Sequence, residues 1–361
     1  MPKAFEPLSF NSGHSINNRF MLAPLTNTQS QPDGVLSEDE IHWLSLRAKG
    51  GFGAVMTAAA HVQEVGLGFP GQLGVFAERH SQGLQTLASK LNAEGALSLV
   101  QLHHAGLRSP ASIVGQPVAP SEYQEEGINA RDLSTEETKQ LIQDFISGAE
   151  RAQRAGFSGV EIHGAHGYIV GQYLSAQYNK RTDQYGGSLE NRMRLLIEIV
   201  SGIRARCGKS FTLGVRLSPE RNGILLMEAI ETVKTLFAMG EIDFLDMSLW
   251  NVFKEPYEAE HQGKSLLAYF AELDRGKVKL GVAGRIKTLA QIEQCLEVGA
   301  DFVLLGRAAI LHHDYPKKVQ ENPAFVPVEP PVSQAYLRGE GLSQKFVDYM
   351  GESFPGFVEV V

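Results

Sequence analysis

Short apolar runs and longer amphipathic stretches alternate along the chain, and one phrase recurs at the joints between them. It is a helix-like stretch, a glycine, a short gap and then a β-rich run. The phrase appears as Lys49-Gly50-Gly51-Phe52-Gly53 before AVMTA, Ala155-Gly156-Phe157 before SGVEIH, Met239-Gly240 before IDFLDMS and Val298-Gly299-Ala300 before DFVLLG. Glycine there fits the left-handed residue that ends a helix. The runs that follow are apolar on both faces, the pattern of buried parallel strands.

On that basis strands are predicted over Arg19–Leu25, Ala54–Ala58, Ala96–Leu102, Gly159–His163, Thr212–Leu217, Phe244–Ser248, Lys279–Val282 and Phe302–Leu305. Helical patterns fall between them at Ser37–Lys49, Ser81–Ala93, Ser134–Ala155, Ser188–Cys207, Leu226–Met239, Ser265–Leu273 and Thr288–Val298. Several start at a Ser or Thr cap, and Ser134-Thr135-Glu136-Glu137 reads as a capping box. Alternating strands and helices in this number predict an α/β fold, a single TIM (β/α)8 barrel with long loops on the C-terminal face. A doubly wound open sheet is the competing arrangement. The barrel domain is expected to take up residues 1–361, with the tail from about 320 lying peripherally.

The surplus length sits after strands, at His103–Leu133, Gly164–Gly187 and Leu249–Lys264, which is the catalytic face of such a barrel. Composition narrows the class further. Of the 361 residues 43% are hydrophobic and 20% charged, a globular balance, and the net charge of −8 argues against a nucleic-acid partner. Cys207 and Cys295 are the only cysteines, too few for an iron–sulfur cluster or a disulfide framework. No apolar run approaches the ~18 residues of a membrane span, and the start MPKAFEPLSF lacks a signal pattern, so a reducing cytoplasm is the expected compartment.

His163, His166 and Tyr168 stand at and just past the end of the fourth strand. Two imidazoles three residues apart can donate converging hydrogen bonds to one oxygen, and a phenol with a free pKa near ~10 can offer a proton. The pair could instead hold a metal if His103, His104 or Asp246 joined it, although no helix carries a zincin pattern. Gly284-Arg285 and Gly306-Arg307 follow strands seven and eight, where barrels form a phosphate cup. Pro24-Leu25-Thr26, Ala58-Ala59-Ala60, Gln101 and Arg216 end other strands. Small residues leave room for a flat group, Gln101 offers an amide edge, and Arg216 offers a fixed cation, a set that fits flavin mononucleotide.

These motifs resemble the Old Yellow Enzyme family of flavin-dependent ene-reductases, also called NADH:flavin oxidoreductases. The resemblance rests on APLTN at 23–27, QLHHAG at 101–106, EIHGAHGY at 161–168, NKRTDQYGGSLENR at 179–192, GVRLSP at 214–219 and LLGRA at 304–308. It runs from about Leu8 to Gly356-Phe357-Val358, and the RTDxYGGSxENR string is its most specific part. His166 stands where the family often has asparagine, Ala176 replaces a frequent proline, and Thr26 lies where some relatives carry a cysteine.

The resemblance implies non-covalent FMN held by Thr26, Ala58, Gln101, Arg216, Gly284, Arg285, Gly306 and Arg307, with NADPH or NADH as electron donor, and Pro24 and Leu25 beside Thr26 complete the expected cofactor set. It implies that His163 and His166 bind the activating oxygen of an enone or nitroalkene and that Tyr168 is the proton donor. No acidic residue or arginine stands in a dinucleotide fingerprint, so the nicotinamide is expected to borrow the substrate site. Arg181, Asp183, Gly186-Gly187 and Ser188 read as a scaffold that returns the long loop to the next helix. The rival readings are a metal-dependent barrel hydrolase and a non-catalytic flavin or phosphate binder. The physiological substrate, the choice between NADH and NADPH, and homo-oligomerisation stay open.

Overall fold

Apolar runs that cannot show a polar face to water pair with one another, and in the computed structural model eight of them close into a parallel barrel. Residues 2–125 and 127–359 are described; Met1, Glu126, Val360 and Val361, part of the expected 1–361 domain, lie outside them. The barrel strands are β1 (Phe20–Leu22), β2 (Ala54–His61), β3 (Leu97–His103), β4 (Gly159–Gly164), β5 (Thr212–Leu217), β6 (Phe244–Ser248), β7 (Lys279–Ala283) and β8 (Phe302–Leu305). Strand β8 pairs back on β1, with Val303 opposite Phe20 and Leu305 opposite Leu22.

The N-terminal end of the barrel is plugged. A hairpin of Leu8–Ser9 and Ser15–Ile16 brings Leu8, Phe10 and Ile16 against Met21, Met56, Leu99, Phe244 and Phe302. Phe10 meets the Phe244 and Phe302 rings at 5.9 and 6.2 Å between centroids. Room for these rings comes from Gly214 and Gly281, where a Cβ would lie 2.1 Å from Phe244 and 2.4 Å from Phe302. Apolar filling below leaves the polar inward residues for the other end. Register sets Ala59, Gln101 and Glu161 side by side, and likewise His163, Arg216 and Asp246.

The outer helices are α1 (Glu38–Lys49), α2 (Ser81–Ala93), α3 (Thr135–Arg154), α4 (Leu189–Cys207), α5 (Leu226–Met239), α6 (Leu266–Ala271) and α7 (Leu289–Val298). Ser37, Ser188 and Ser265 cap α1, α4 and α6, while Ser134 with Glu137 and Thr288 with Gln291 form capping boxes on α3 and α7. No helix among the described residues is long and apolar enough to cross a membrane.

Gly156, Gly240 and Gly299 take positive φ as expected, but at the first joint Gly51 does so, at 96°, while Gly50 stays right-handed at −71°. Gly50 is needed for a different reason: a Cβ there would sit 1.9 Å from the His313 carbonyl oxygen. Strand β2 also runs past its expected end at Ala58 to His61, because a register shift between Met56 and Ala59 lets pairing with β3 resume. The tail crosses α1, where Phe346 packs edge-on against Trp43 at 5.3 Å and the Ser343 N–H donates to Gln29.

Candidate active site

The end of β4 turns sharply because His166 and Gly167 both adopt left-handed backbone, at φ 60° and 69°. That turn folds His163, His166 and Tyr168 together. The His163 ring centroid lies 5.0 Å from those of His166 and Tyr168, and His103 from β3 approaches Tyr168 to 4.4 Å. His163 Nδ1 accepts the Ala165 N–H at 3.2 Å, which leaves the proton of a neutral ring on Nε2. Burial, with His166, His103 and Arg216 adding to it, holds the His163 pKa well below its usual value.

His166 is held down to about 3, first by burial and then by Arg216 and Arg108. Its Nε2 shares a 2.7 Å hydrogen bond with the Ser248 hydroxyl at the end of β6, and its carbonyl accepts from Arg108. Burial raises the Tyr168 pKa, while Arg108, whose guanidinium lies 5.4 Å from the ring centroid, opposes the rise. Tyr349 of the tail adds a smaller upward push. Arg108, Ser248 and Tyr349 are the neighbours that sequence reasoning missed; no local pattern marks them, because distant segments carry them here.

Of the added ligands that the metal reading names, His103 stays beside His163, with ring centroids 5.4 Å apart. His104 faces away, with Nδ1 accepting from Gly106 and Nε2 against Gln63 at 3.1 Å. Among the described residues, the groups of three that could converge on an ion are Glu258, Glu260 and His261, or His313, Asp314 and Glu340. Neither includes His163 or His166.

The expected cofactor residues ring the same end. Pro24, Leu25 and Thr26 follow β1 half-buried, and the turn beyond is fixed by buried Glu40, which accepts from Asn27 at 3.0 Å and from Ser30. Ala58 is buried, and it is Ala59, half-buried, that stands in register with Gln101. Gln101 donates to Glu161 at 2.7 Å, and among the described residues its side-chain oxygen has no partner. Arg216 Nε lies 2.8 Å from Asp246 without the alignment of a hydrogen bond, and among the described residues its other N–H groups have no hydrogen-bond partner.

Arg285, on the loop after β7, and Arg307, which opens the short helix Arg307–Leu311 after β8, are exposed and have no carboxylate partner among the described residues. Gly284, at φ 150°, has no room for a side chain, since a Cβ would lie 2.9 Å from the Trp250 carbonyl carbon. Gly306 approaches Leu25 from across the seam, with 3.2 Å left for a Cβ. Two unpaired cations just past adjacent strands, with an amide edge and a buried guanidinium at the same end, fit a flavin that carries a phosphate.

A barrel whose open end joins neutral imidazoles, a phenol and such a cradle has the parts that flavin-dependent oxidoreduction needs. Comparison with known proteins gives the family: residues 3–324 match the NADH:flavin oxidoreductase / NADH oxidase family, and the chain belongs to it. It is 35% identical to the probable NADH-dependent flavin oxidoreductase YqiG of Bacillus subtilis, over 88% of each chain. It is 34% identical to an NADPH dehydrogenase of Halalkalibacterium halodurans, over 85% of this chain and 90% of the relative. The solved old yellow enzyme homologue from Zymomonas mobilis superposes with a TM-score of 0.81 at 27% identity, covering 96% of this chain and 99% of that one. The protein is thus an NAD(P)H-dependent oxidoreductase with FMN as cofactor.

Proposed function

We propose that this enzyme reduces the activated C=C bond of α,β-unsaturated carbonyl or nitro compounds. The observation that carries the reading is one cluster in which neutral His163 packs between neutral His166 and the phenol of Tyr168, which burial keeps protonated. Bound FMN supplies the hydride. His163 donates from Nε2 to the substrate oxygen, and His166 gives up the Ser248 hydroxyl to do the same, so charge is drawn toward the oxygen. Neutral donors suit this task because they stabilise developing negative charge without surrendering a proton early. Tyr168 protonates the α-carbon.

Thr26, Ala58, Gln101 and Arg216, with Pro24 and Leu25, would border the flavin ring system, and Gly284, Arg285, Gly306 and Arg307 would hold its phosphate. The nicotinamide of the donor uses the same end of the barrel as the alkene, in alternation with it.

Tyr168→Phe tests the assignment in separate half-reactions followed by rapid mixing. Flavin reduction by NADH or NADPH should proceed at nearly the parent rate. Reoxidation by an enone should slow by about 10²–10⁴-fold, the usual cost of losing a positioned acid. Nitroalkenes should suffer less, since a nitronate can leave and take its proton from water. A variant slowed in flavin reduction, or unaffected with enones, overturns the role.

A further inference from the structure

The loops after β5 and β6 carry a surface group that the hydride chemistry leaves idle. Trp250 and Tyr257 are each 56% exposed, and Trp250 holds a left-handed backbone at φ 61°. Arg221, at φ 75°, lies between them with its guanidinium carbon 4.7 Å from the Trp250 ring centroid and 4.8 Å from that of Tyr257. It donates to the Tyr257 hydroxyl. Neighbouring Lys254 is neutralised by Glu220, whereas Arg221 has no carboxylate partner among the described residues. Left-handed backbone at non-glycine residues costs energy and persists where the surroundings impose it, commonly at ligand clamps.

The group is continuous with the catalytic end. Ser248, which bonds His166 Nε2, stands two residues before Trp250, and a small cleft is lined by both His166 and Arg221 together with Gly167, Ser218 and Asn222. Two large rings left half in water and an unpaired planar cation are what a purine base and a diphosphate require: a stacking face beside a forked donor. The chain's one GxGxxG string, Gly66-Leu67-Gly68-Phe69-Pro70-Gly71, opens no helix and so lacks the context of a dinucleotide fold.

We propose that Trp250, Arg221 and Tyr257 dock the adenosine diphosphate group of the nicotinamide dinucleotide while its nicotinamide reaches the flavin. The proposal rests on the donor using the His163–His166 end of the barrel, and it is independent of which alkene is reduced. The adenine stacks on the open face of Trp250, and Arg221 meets the diphosphate.

The test is anaerobic flavin reduction of the FMN-loaded enzyme by NADH and by dihydronicotinamide mononucleotide, which lacks the adenosine half. Trp250→Asn is the chosen variant, because asparagine tolerates left-handed backbone and spares the loop. The apparent Kd for NADH should rise roughly tenfold, as when an aromatic platform under a base is removed. The limiting rate, the mononucleotide kinetics and the spectrum of the bound flavin should not change. Arg221→Gln should weaken NADH in the same selective way and flatten its salt dependence. A parent that uses both donors equally well, or variants that weaken both donors alike, overturns the proposal. Coenzyme A thioesters carry the same group, so crotonyl-CoA and crotonyl-N-acetylcysteamine are compared as oxidants. Dependence on Trp250 with crotonyl-CoA but not with NADH overturns the assignment to the dinucleotide.

Discussion

Arg216 on β5 and Asp246 on β6 face each other across paired strands, with Nε 2.8 Å from a carboxylate oxygen, inside the barrel. Glu161, one strand away from Arg216 and hydrogen bonded to Gln101, completes a buried group of two carboxylates and one cation. Burial pushes Asp246 up to about 6, with Arg216 pulling back, and burial plus Asp246 holds Glu161 well above the usual range. The two carboxylates therefore compete for one partner. Asp246→Asn should destabilise the enzyme by only about 1–3 kcal/mol, less than a broken buried pair normally costs, because Glu161 ionises in its place. Asp246→Asn with Glu161→Gln should cost more than the sum of the single changes in urea unfolding. Strict additivity would show that the two carboxylates do not exchange the role.

Acid should weaken the fold. His61, His103, His104 and His163 are buried and held neutral, His61 at about 4 and His104 at about 3, with burial the first cause in each. Unfolded, they titrate near ~6.5, so below that pH the unfolded chain binds more protons and stability falls as pH falls. Each histidine contributes up to about 1.4 kcal/mol per pH unit below ~6.5, down to its folded value. Raised Asp246 and Glu161 act the other way, losing stability as pH rises from about 4, but four imidazoles outweigh two carboxylates. The urea midpoint should drop between about pH 7 and about pH 5, and His104→Gln should make the drop shallower. A midpoint that holds steady would contradict this.

Gly284→Ala should loosen FMN. At φ 150° an alanine is strained, and its Cβ would press on the Trp250 and Asn251 backbone, 2.9 and 3.0 Å away. The turn that ties Leu249 to Ala283 and Val252 to Gly284 must then shift. A stability loss of about 1–3 kcal/mol is expected, with faster flavin release during gel filtration. Retention equal to the parent's would place the phosphate elsewhere.

His166→Ala should weaken binding of phenols, which offer an oxygen to the same donors, by roughly 1–3 kcal/mol. Titration of the flavin absorbance with a substituted phenol measures it. Ser248→Ala, which removes the hydroxyl that occupies His166 Nε2, should tighten the same ligand slightly. If both variants bind as the parent does, the oxygen is held by other groups.

Most of the barrel was legible because its strands are bounded apolar runs: Thr212–Leu217, Phe244–Ser248 and Phe302–Leu305 coincide with their expected limits. Strand β1 is shorter than expected. Ala23 still donates to Leu305, but Pro24 has no N–H to continue the ladder. The helix Ile169–Leu174 escaped notice inside the Gly164–Gly187 loop, since all six of its residues are buried and no polar face gives it a period. His163, His166 and Tyr168 were legible as a cluster because they lie within one local turn. Arg108 and Ser248 were not, because their places depend on the β3 loop and the end of β6, and within the Ala58-Ala59-Ala60 triplet only the register shift in β2 shows that Ala59 pairs with Gln101. The Arg181–Asp183 pair, 2.6 Å apart, and the Ser188 cap show how the loop regains α4.

The pairing of β8 with β1 has a consequence during synthesis. Val303 and Phe20 are joined only after nearly the whole barrel has left the ribosome, and until then two strand edges stand open to other chains. Gly306 and Leu25 meet across that same junction. The proposed flavin cradle has residues on both banks of it and cannot exist on a half-made chain, so cofactor arriving early would find nothing to hold it, and cofactor arriving late would act as the fastener that keeps the last edge from wandering.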